Sequence, residues 1–304
     1  MSCEPLKITS IQENVKLDVW FYRPDKPGPY PVVVAGHGLT VIKDAGYAAF
    51  AQQWAEGAGW ASLIFDYRGF GDSDGEPRNV VGFESQLQDY RSVIEWASSQ
   101  ADFIAEKIVV MGSAWSGLQV ADLVVNDGRL AGGMAHCPVL DARATVTSVL
   151  PRPKLLFWAC IDYLRGKLGF RPIFLRAVGK PGEFAVLNSP SSYAGFTSMF
   201  AQGRTPFDRA PNLISPRFIT EALSCRPGLA LKKALCPMLV VSAEEDDIVP
   251  IGITRDIVAN ADKRVKLVNI RCGHYEIMAG GKGYEANINA QINFLQNLSR
   301  IDQH

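Results

Sequence analysis

Short, almost wholly apolar runs that alternate with helical periodicity constrain this chain more than any other feature. The runs are PVVVAG (31–36), ASLIFD (61–66), KIVVMG (107–112) and GGMAHC (132–137). The first three precede amphipathic stretches at Tyr47–Glu56, Phe83–Ser99 and Gly117–Asn126. A strand of consecutive Val and Ile residues has no polar face to turn to water, so it must be covered on both sides. With a helix in each connection, the result is a mostly parallel sheet between two helical layers. Upstream, residues 7–22 alternate polar and apolar side chains, the period of a half-buried antiparallel hairpin, and end in a Pro- and Gly-rich turn at 24–30.

The alternation lapses for roughly a hundred residues. It resumes with MLVVSA (238–243), a helix over Ile253–Asn260, the strand VKLVNI (265–270) and a last helix over Gly283–Asn297. The gap is read as an insertion, leaving the sheet near Pro138 at the carboxyl ends of the strands, where open α/β sheets bind ligands. Pro151–Pro153, Gly179–Gly182, Pro190 and Pro206–Pro216 punctuate it, between short helical pieces such as KLLFWACIDYLRGKL. The expected organisation is a core from residues 1–140 and 236–304, with a helical cap at 141–235. The insert is rich in aromatics, from Phe157 and Trp158 to Phe207 and Phe218. Most are expected to pack cap helices on one another, and a few to face the sheet and touch a ligand.

Charge excludes several partners. Acidic and basic residues balance at 31 each. No Lys/Arg-rich run offers a footprint for nucleic acid or an anionic membrane, and no apolar run reaches the roughly 18 residues of a membrane span. MSCEPLKITS has no basic segment followed by an apolar one, so no secretory signal is expected. The six cysteines are scattered, with no C-x-x-C pair and no His at metal-ligand spacing, as buried thiols of a reducing compartment would be. A cytoplasmic location is therefore expected, with neither metal nor cofactor. DYRGFGDSDGEP (66–77) is Gly-rich, but no helix follows at once, and Asp66 and Arg68 are expected in structural ion pairs.

Three loops, each after a strand, hold the positions of a nucleophile, an acid and a histidine in that chain order. They are KIVVMGSAWSGLQV, VVSAEEDDIVP and NIRCGHYEIM. Over nearly its whole length the chain resembles the α/β-hydrolase superfamily. It is most similar to cap-bearing serine hydrolases and acyltransferases such as polyketide transferases and X-Pro dipeptidyl-peptidase-like hydrolases. The resemblance implies an α/β-hydrolase fold: a mostly parallel central sheet flanked by helices, with a helical cap inserted before the last two strands.

It also implies site residues. In the family pattern the nucleophile is a serine two residues after the first glycine of the strand–helix turn; counted from Gly112, that position holds Ala114. Ala114 has three readings: a serine replaced deliberately, a serine lost naturally, or a shifted register in which Ser113 or Ser116 attacks. The last conflicts with a turn that presents one side chain to the histidine. The family's Asp four residues before a Pro falls on Asp246, with Asp141 as a second candidate and Glu244, Glu245 and Asp247 as a solvated acidic loop. The base is His274, with Gly273 expected to take an unusual backbone angle beside it. Leu39, in the His37-Gly38 turn, and Trp115 would supply the amides of an oxyanion hole. His37 would brace its loop, His136 would be a core residue, and the terminal His304 has no claim.

The implied activity is that of a serine-type hydrolase or acyltransferase acting on an ester, lactone or acyl-thioester with a bulky apolar acyl group, a polyketide among them. With Ala114 in place, this chain is expected to be inactive. Its partners would be a small-molecule acyl substrate, an acyl-carrier or polyketide synthase donor, and, as an option, a second copy in a homodimer. Two alternatives stand beside it: a catalytically silent ligand-binding homologue, and a lyase or cyclase that uses His274 and Asp246 without a nucleophile.

Overall fold

The computed structural model describes residues 2–11, 14–149 and 152–300; Pro151 and His304 lie outside them. In chain order the elements of the first half are β1 (Ser2–Thr9), β2 (Lys16–Arg23), β3 (Tyr30–Gly36), α1 (Tyr47–Gln53), β4 (Ala61–Phe65), α2 (Phe83–Ser99), β5 (Phe103–Ser113), α3 (Gly117–Asn126) and β6 (Leu130–His136). There follow α4 (Ala142–Val149), α5 (Pro153–Lys167), β7 (Leu175–Arg176), α6 (Ser192–Ala201), β8 (Leu213–Ile214) and α7 (Phe218–Ala222). The chain closes with β9 (Met238–Ala243), α8 (Ile251–Ala259), β10 (Val265–Ile270) and α9 (Tyr284–Arg300).

Eight strands form one sheet in the order β1-β2-β4-β3-β5-β6-β9-β10. β1 and β2 are antiparallel to their neighbours, and the other pairings are parallel. The apolar runs occupy the centre: Val32, Val33, Val34 and Ala35 of β3 and Ile108, Val109 and Val110 of β5 are wholly buried. Helices seal both faces with stripes at helical spacing, such as Leu87, Tyr90, Val93, Ile94 and Ala97 of α2. At the edges the pattern thins: β10 exposes Lys266 and β1 is exposed over most of its length, so these strands tolerate polar residues.

The first helix is shorter than its periodicity predicts. α1 ends at Gln53 and widens into a π-turn over Trp54–Ala58, closed by Gly59 at φ 71°. Trp54 stays buried and donates its indole N–H to Gln291 of α9 at 3.0 Å.

Residues 137–237 leave β6 and return to its neighbour β9, and they hold α4 to α7 and the small β7–β8 pair. Charge organises this insert. Asp162 of α5 is fully buried and accepts from Ile173 N at 2.7 Å, Ser215 Oγ at 2.5 Å and the Arg217 guanidinium at 3.0 and 3.1 Å. Asp44 ties the insert to the core by accepting from the amides of Arg204 and Thr205. α6 comes so close to the loop after β10 that a Cβ on Gly195 would lie 2.1 Å from the Tyr275 ring.

Of the insert's aromatics, Phe157, Phe170, Phe174, Phe184 and Tyr193 are exposed, Phe200 is buried, and Phe196 and Phe218 turn inward toward the sheet. Fewer of them pack helix on helix than the aromatic content predicts.

Candidate functional site

The loops at the carboxyl ends of β3, β5, β6, β9 and β10 meet under the insert. β5 ends in extended backbone at Ser113, and the next residue, Ala114, turns to φ 47° before α3 begins. This left-handed conformation is costly for a residue with a Cβ, and the glycines around it show why the turn is so sharp. A Cβ on Gly112 would lie 2.6 Å from Ser116 O, and one on Gly117 would lie 2.4 Å from Pro138 Cβ. The turn therefore lifts one side chain, and Ala114 alone among residues 111–120 is not buried. Ser116 is locked beneath it between the Tyr67 hydroxyl, at 2.5 Å, and the His37 carbonyl. Ser113 is buried and engages the Tyr47 hydroxyl.

As the second residue of the helical turn that starts at Ala114, Trp115 has an N–H with no intrahelical acceptor. The loop after β3 comes alongside: a Cβ on Gly38 would sit 3.4 Å from that of Ala114. Gly38 N donates to the Tyr47 hydroxyl at 3.2 Å, and Leu39 follows on the cleft wall. His37 is buried, its Nδ1 3.1 Å from Gly38 O and its Nε2 accepting from Tyr67 N at 3.5 Å, and burial depresses its pKa. Beneath the loop, Lys43 reaches Asp66 at 2.6 Å and Asp18 at 2.7 Å, while Arg68 pairs with Asp89 at 2.7 Å.

After β10, His274 presents Nδ1 to Asp246 Oδ2 at 2.7 Å. The other oxygen, Oδ1, accepts from the amides of Ile248 at 2.8 Å and Val249 at 2.7 Å, so both lone-pair faces of the carboxylate are committed. A carboxylate only accepts, which puts the proton on Nδ1 and leaves Nε2 as the basic atom. Gly273 does not take the expected left-handed angle; its N–H donates instead to Glu276 Oε2 at 2.6 Å. The other acidic candidates are engaged elsewhere. Asp141 accepts from Ala144 N at 2.9 Å at the start of α4 and pairs with Arg226 at 2.8 Å. Asp247 accepts from the backbone and hydroxyl of Ser191, joining the acid loop to the insert. Glu244 and Glu245 are exposed and face Arg255 and Lys282.

Ala114 and His274 line the same cleft, whose walls are largely apolar: Val139, Val146, Phe196, Met199, Phe218 and Tyr275 contribute. The volume open to the centres of water molecules in it is about 70 Å³.

Two residues gain a place that their sequence setting did not announce. Cys137, at φ 44° just beyond β6, lines the cleft, and its Sγ lies within 4.8 Å of ligand atoms of Asp246 and His274. These three donors have the proximity that a metal ion needs; without an ion, burial and the Asp246 charge push the Cys137 thiol well above its usual range. Thr145 of α4 joins the cleft through the helix face that also buries Ala142 and Val146. A cysteine before a proline at a strand end was the only hint of the first; nothing in the sequence distinguished the second.

His136 is a core residue. Asn287 Nδ2 donates to its Nδ1 at 3.2 Å, and burial, aided by the neighbouring His274 charge, lowers its pKa to about 3.

Comparison with known proteins sets this geometry in a family. The quorum-quenching protein AidA of Acinetobacter baumannii (strain MDR-ZJ06) is 28% identical over 296 residues, 97% of this chain and 95% of the relative. The polyketide transferase ATR5 of Stachybotrys chlorohalonatus is 24% identical over 295 residues, 95% of each chain. Among solved structures, the α/β hydrolase GrgF from Penicillium sp. sh18 superposes with a TM-score of 0.77 at 21% identity, over 98% of this chain and 99% of that one. The fold is thus the α/β-hydrolase fold, with its mostly parallel eight-stranded sheet flanked by helices. Residues 13–167, just over half of the chain, match the X-Pro dipeptidyl-peptidase (S15 family), and the chain belongs to that family.

Proposed function

We propose that this chain carries an acyl-binding site of the serine hydrolase and acyltransferase kind, with Ala114 standing where the attacking hydroxyl would be. The ligand is an ester, lactone or acyl-thioester with an apolar acyl group. Asp246 keeps His274 Nδ1 protonated, Nε2 is the base, and the amides of Trp115 and Leu39 receive the oxygen that becomes negative in the transition state. A methyl group has no lone pair to attack with, so the chain as it stands binds the acyl group without forming an acyl-enzyme. A serine at 114 would restore the hydrolase or transferase.

One observation carries this reading: a histidine–aspartate pair with both carboxylate oxygens committed lines the same cleft as a raised side chain in left-handed backbone. The names of relatives agree in chemistry, since quorum-quenching, polyketide transferase and thiohydrolase proteins are among them. The largely apolar walls suit an apolar acyl chain. The donor is a small molecule or a carrier-bound acyl group.

The test is Ala114→Ser with a fluorophosphonate probe. Labelling is expected in the serine variant, is absent from the parent, and disappears again on adding His274→Ala. Asp246→Asn in the serine background should slow turnover on the order of 10⁴-fold, because the ring then holds the wrong tautomer. A folded Ala114→Ser protein that does not react with the probe refutes the assignment.

A further inference from the structure

α5 buries Leu155, Ala159 and Asp162 on one side, and the residues opposite follow the same three- and four-residue spacing. That outer side carries Pro153, Phe157, Cys160, Leu164 and Leu168, all exposed, with Phe157 at 58% and Leu168 at 72%. The water-facing side of a surface helix ordinarily holds charged and polar side chains. Here an apolar stripe runs for about 20 Å along the helix axis without a charge in it. Cations border it instead, and rings tie them to the same surface. Lys154 Nζ lies 4.4 Å from the centroid of the exposed Phe184 ring, the Arg165 guanidinium 5.5 Å from that of the exposed Phe170, and Lys167 Nζ 5.3 Å from that of Tyr163. Arg171 is exposed just beyond. From residue 153 to 182 the one acidic side chain is Asp162, buried against Arg217. These cations form no run in the sequence; the helix gathers them around the rings.

We propose that the outer face of α5, with Phe170 and Phe184 at its ends, docks this chain on the surface of an anionic phospholipid bilayer. Charge decides the occupant. A second copy meeting through a two-fold axis would set this face against itself, cation against cation, with no exposed acid in the segment to answer. A polyanion such as nucleic acid would pair the cations and leave the apolar stripe in water. An anionic bilayer answers both at their own depth, with rings and leucines below the headgroups and the Lys and Arg stems reaching up to the phosphates. The contact is lateral: α5 has 15 residues, and among the described residues no helix is long and apolar enough to cross a membrane. The proposal is independent of the chemistry at Ala114. It places against the bilayer the same insert whose α4 and α6 line the cleft.

The experiment is co-sedimentation of the whole chain with vesicles of phosphatidylcholine alone and of phosphatidylcholine with about 30% phosphatidylserine. Binding is expected to the anionic vesicles at low salt and should fall as salt is raised. Each cation removed should weaken it about five-fold, so Lys154→Gln and Lys167→Gln together should cost on the order of twenty-five-fold. Phe157→Ser should weaken it about ten-fold or more through lost apolar burial, with the unfolding midpoint unchanged because the ring is already exposed. In a Cys3→Ser background Cys160 is the exposed thiol; a nitrobenzoxadiazole label there should shift its emission to the blue on adding anionic vesicles, which docking through another face would not produce. Absence of binding to anionic vesicles at low salt overturns the proposal, as does binding that neither the lysine pair nor Phe157→Ser changes. A chain that ignores vesicles but forms a dimer broken by Phe157→Ser, as read by light scattering, would assign the face to a second copy and overturn it as well.

Discussion

The left-handed backbone at Ala114 can be tested without any activity, by replacing alanine with glycine at two positions. At 114, glycine relieves a conformation that costs an L-residue about 1–2 kcal/mol. Against this, the greater freedom of glycine in the unfolded chain takes back about 0.4–1 kcal/mol. Loss of a mostly buried methyl costs about 0.6 kcal/mol, a little under the ~0.8 kcal/mol of a fully buried carbon. Ala114→Gly should therefore fall between about 0.6 kcal/mol less stable and about 1 kcal/mol more stable. At Ala121, wholly buried within α3, the same exchange loses about 1 kcal/mol of helix propensity and ~0.8 kcal/mol of methyl burial. The two variants should differ by about 2 kcal/mol, read from urea unfolding followed by circular dichroism at matched m-values. A loss at 114 as large as that at 121 would show an ordinary backbone there, and the raised position on which the site reading depends would go with it.

Asp162→Ala should destabilise by about 3–5 kcal/mol, because it strands the Arg217 guanidinium, which is 14% exposed, without its buried counter-charge; a loss under about 1 kcal/mol by the same unfolding assay would show that the insert does not depend on that pair. His136, with a pKa lowered from 6.5 to about 3, leaves the native state unprotonated while the unfolded chain takes a proton. Its contribution is thus full above about pH 6.5 and declines at up to about 1.4 kcal/mol per pH unit as pH falls toward 3. His136→Gln, which can still accept from Asn287, should flatten the acid limb of the stability curve in that window; an unchanged slope would mean that the ring is protonated in the folded protein.

The sheet was legible because its strands obey the simplest rule in the chain. A run such as Val32–Val33–Val34 has no polar side to expose, so it goes to the middle of the sheet, and the last two strands match their predicted ranges, 238–243 and 265–270, residue for residue. Boundaries failed where tertiary packing overrode periodicity. α1 gives way to a π-turn at Trp54, whose indole bonds Gln291 more than two hundred positions away, and no local pattern could disclose that bond. Gly273 illustrates the converse error, since a glycine beside a functional residue invites an argument from backbone freedom, and here the amide is held by Glu276 in ordinary backbone.

The candidate site was legible in kind because each of its residues follows a strand end, and parallel strands bring their carboxyl ends to one side. That geometry delivers Ala114, Asp246 and His274 to one region from positions up to 160 apart. Between Asp246 and Asp141 the sequence offered little beyond spacing, and the surroundings separate them: Asp246 has His274 and two amides, Asp141 has Arg226 and the end of a helix. What the sequence did not carry is the shape of the space above them. Aromatic abundance in the insert suggested rings packed on one another with a few turned to a ligand, yet Phe157, Phe170, Phe174, Phe184 and Tyr193 are exposed, and Phe196 and Phe218 line the cleft. The size of a cavity is a small difference between large packed volumes, so it depends on every contact at once. The chemistry of a wall depends on single residues, and here Val139, Val146, Phe196, Met199 and Phe218 make it largely apolar.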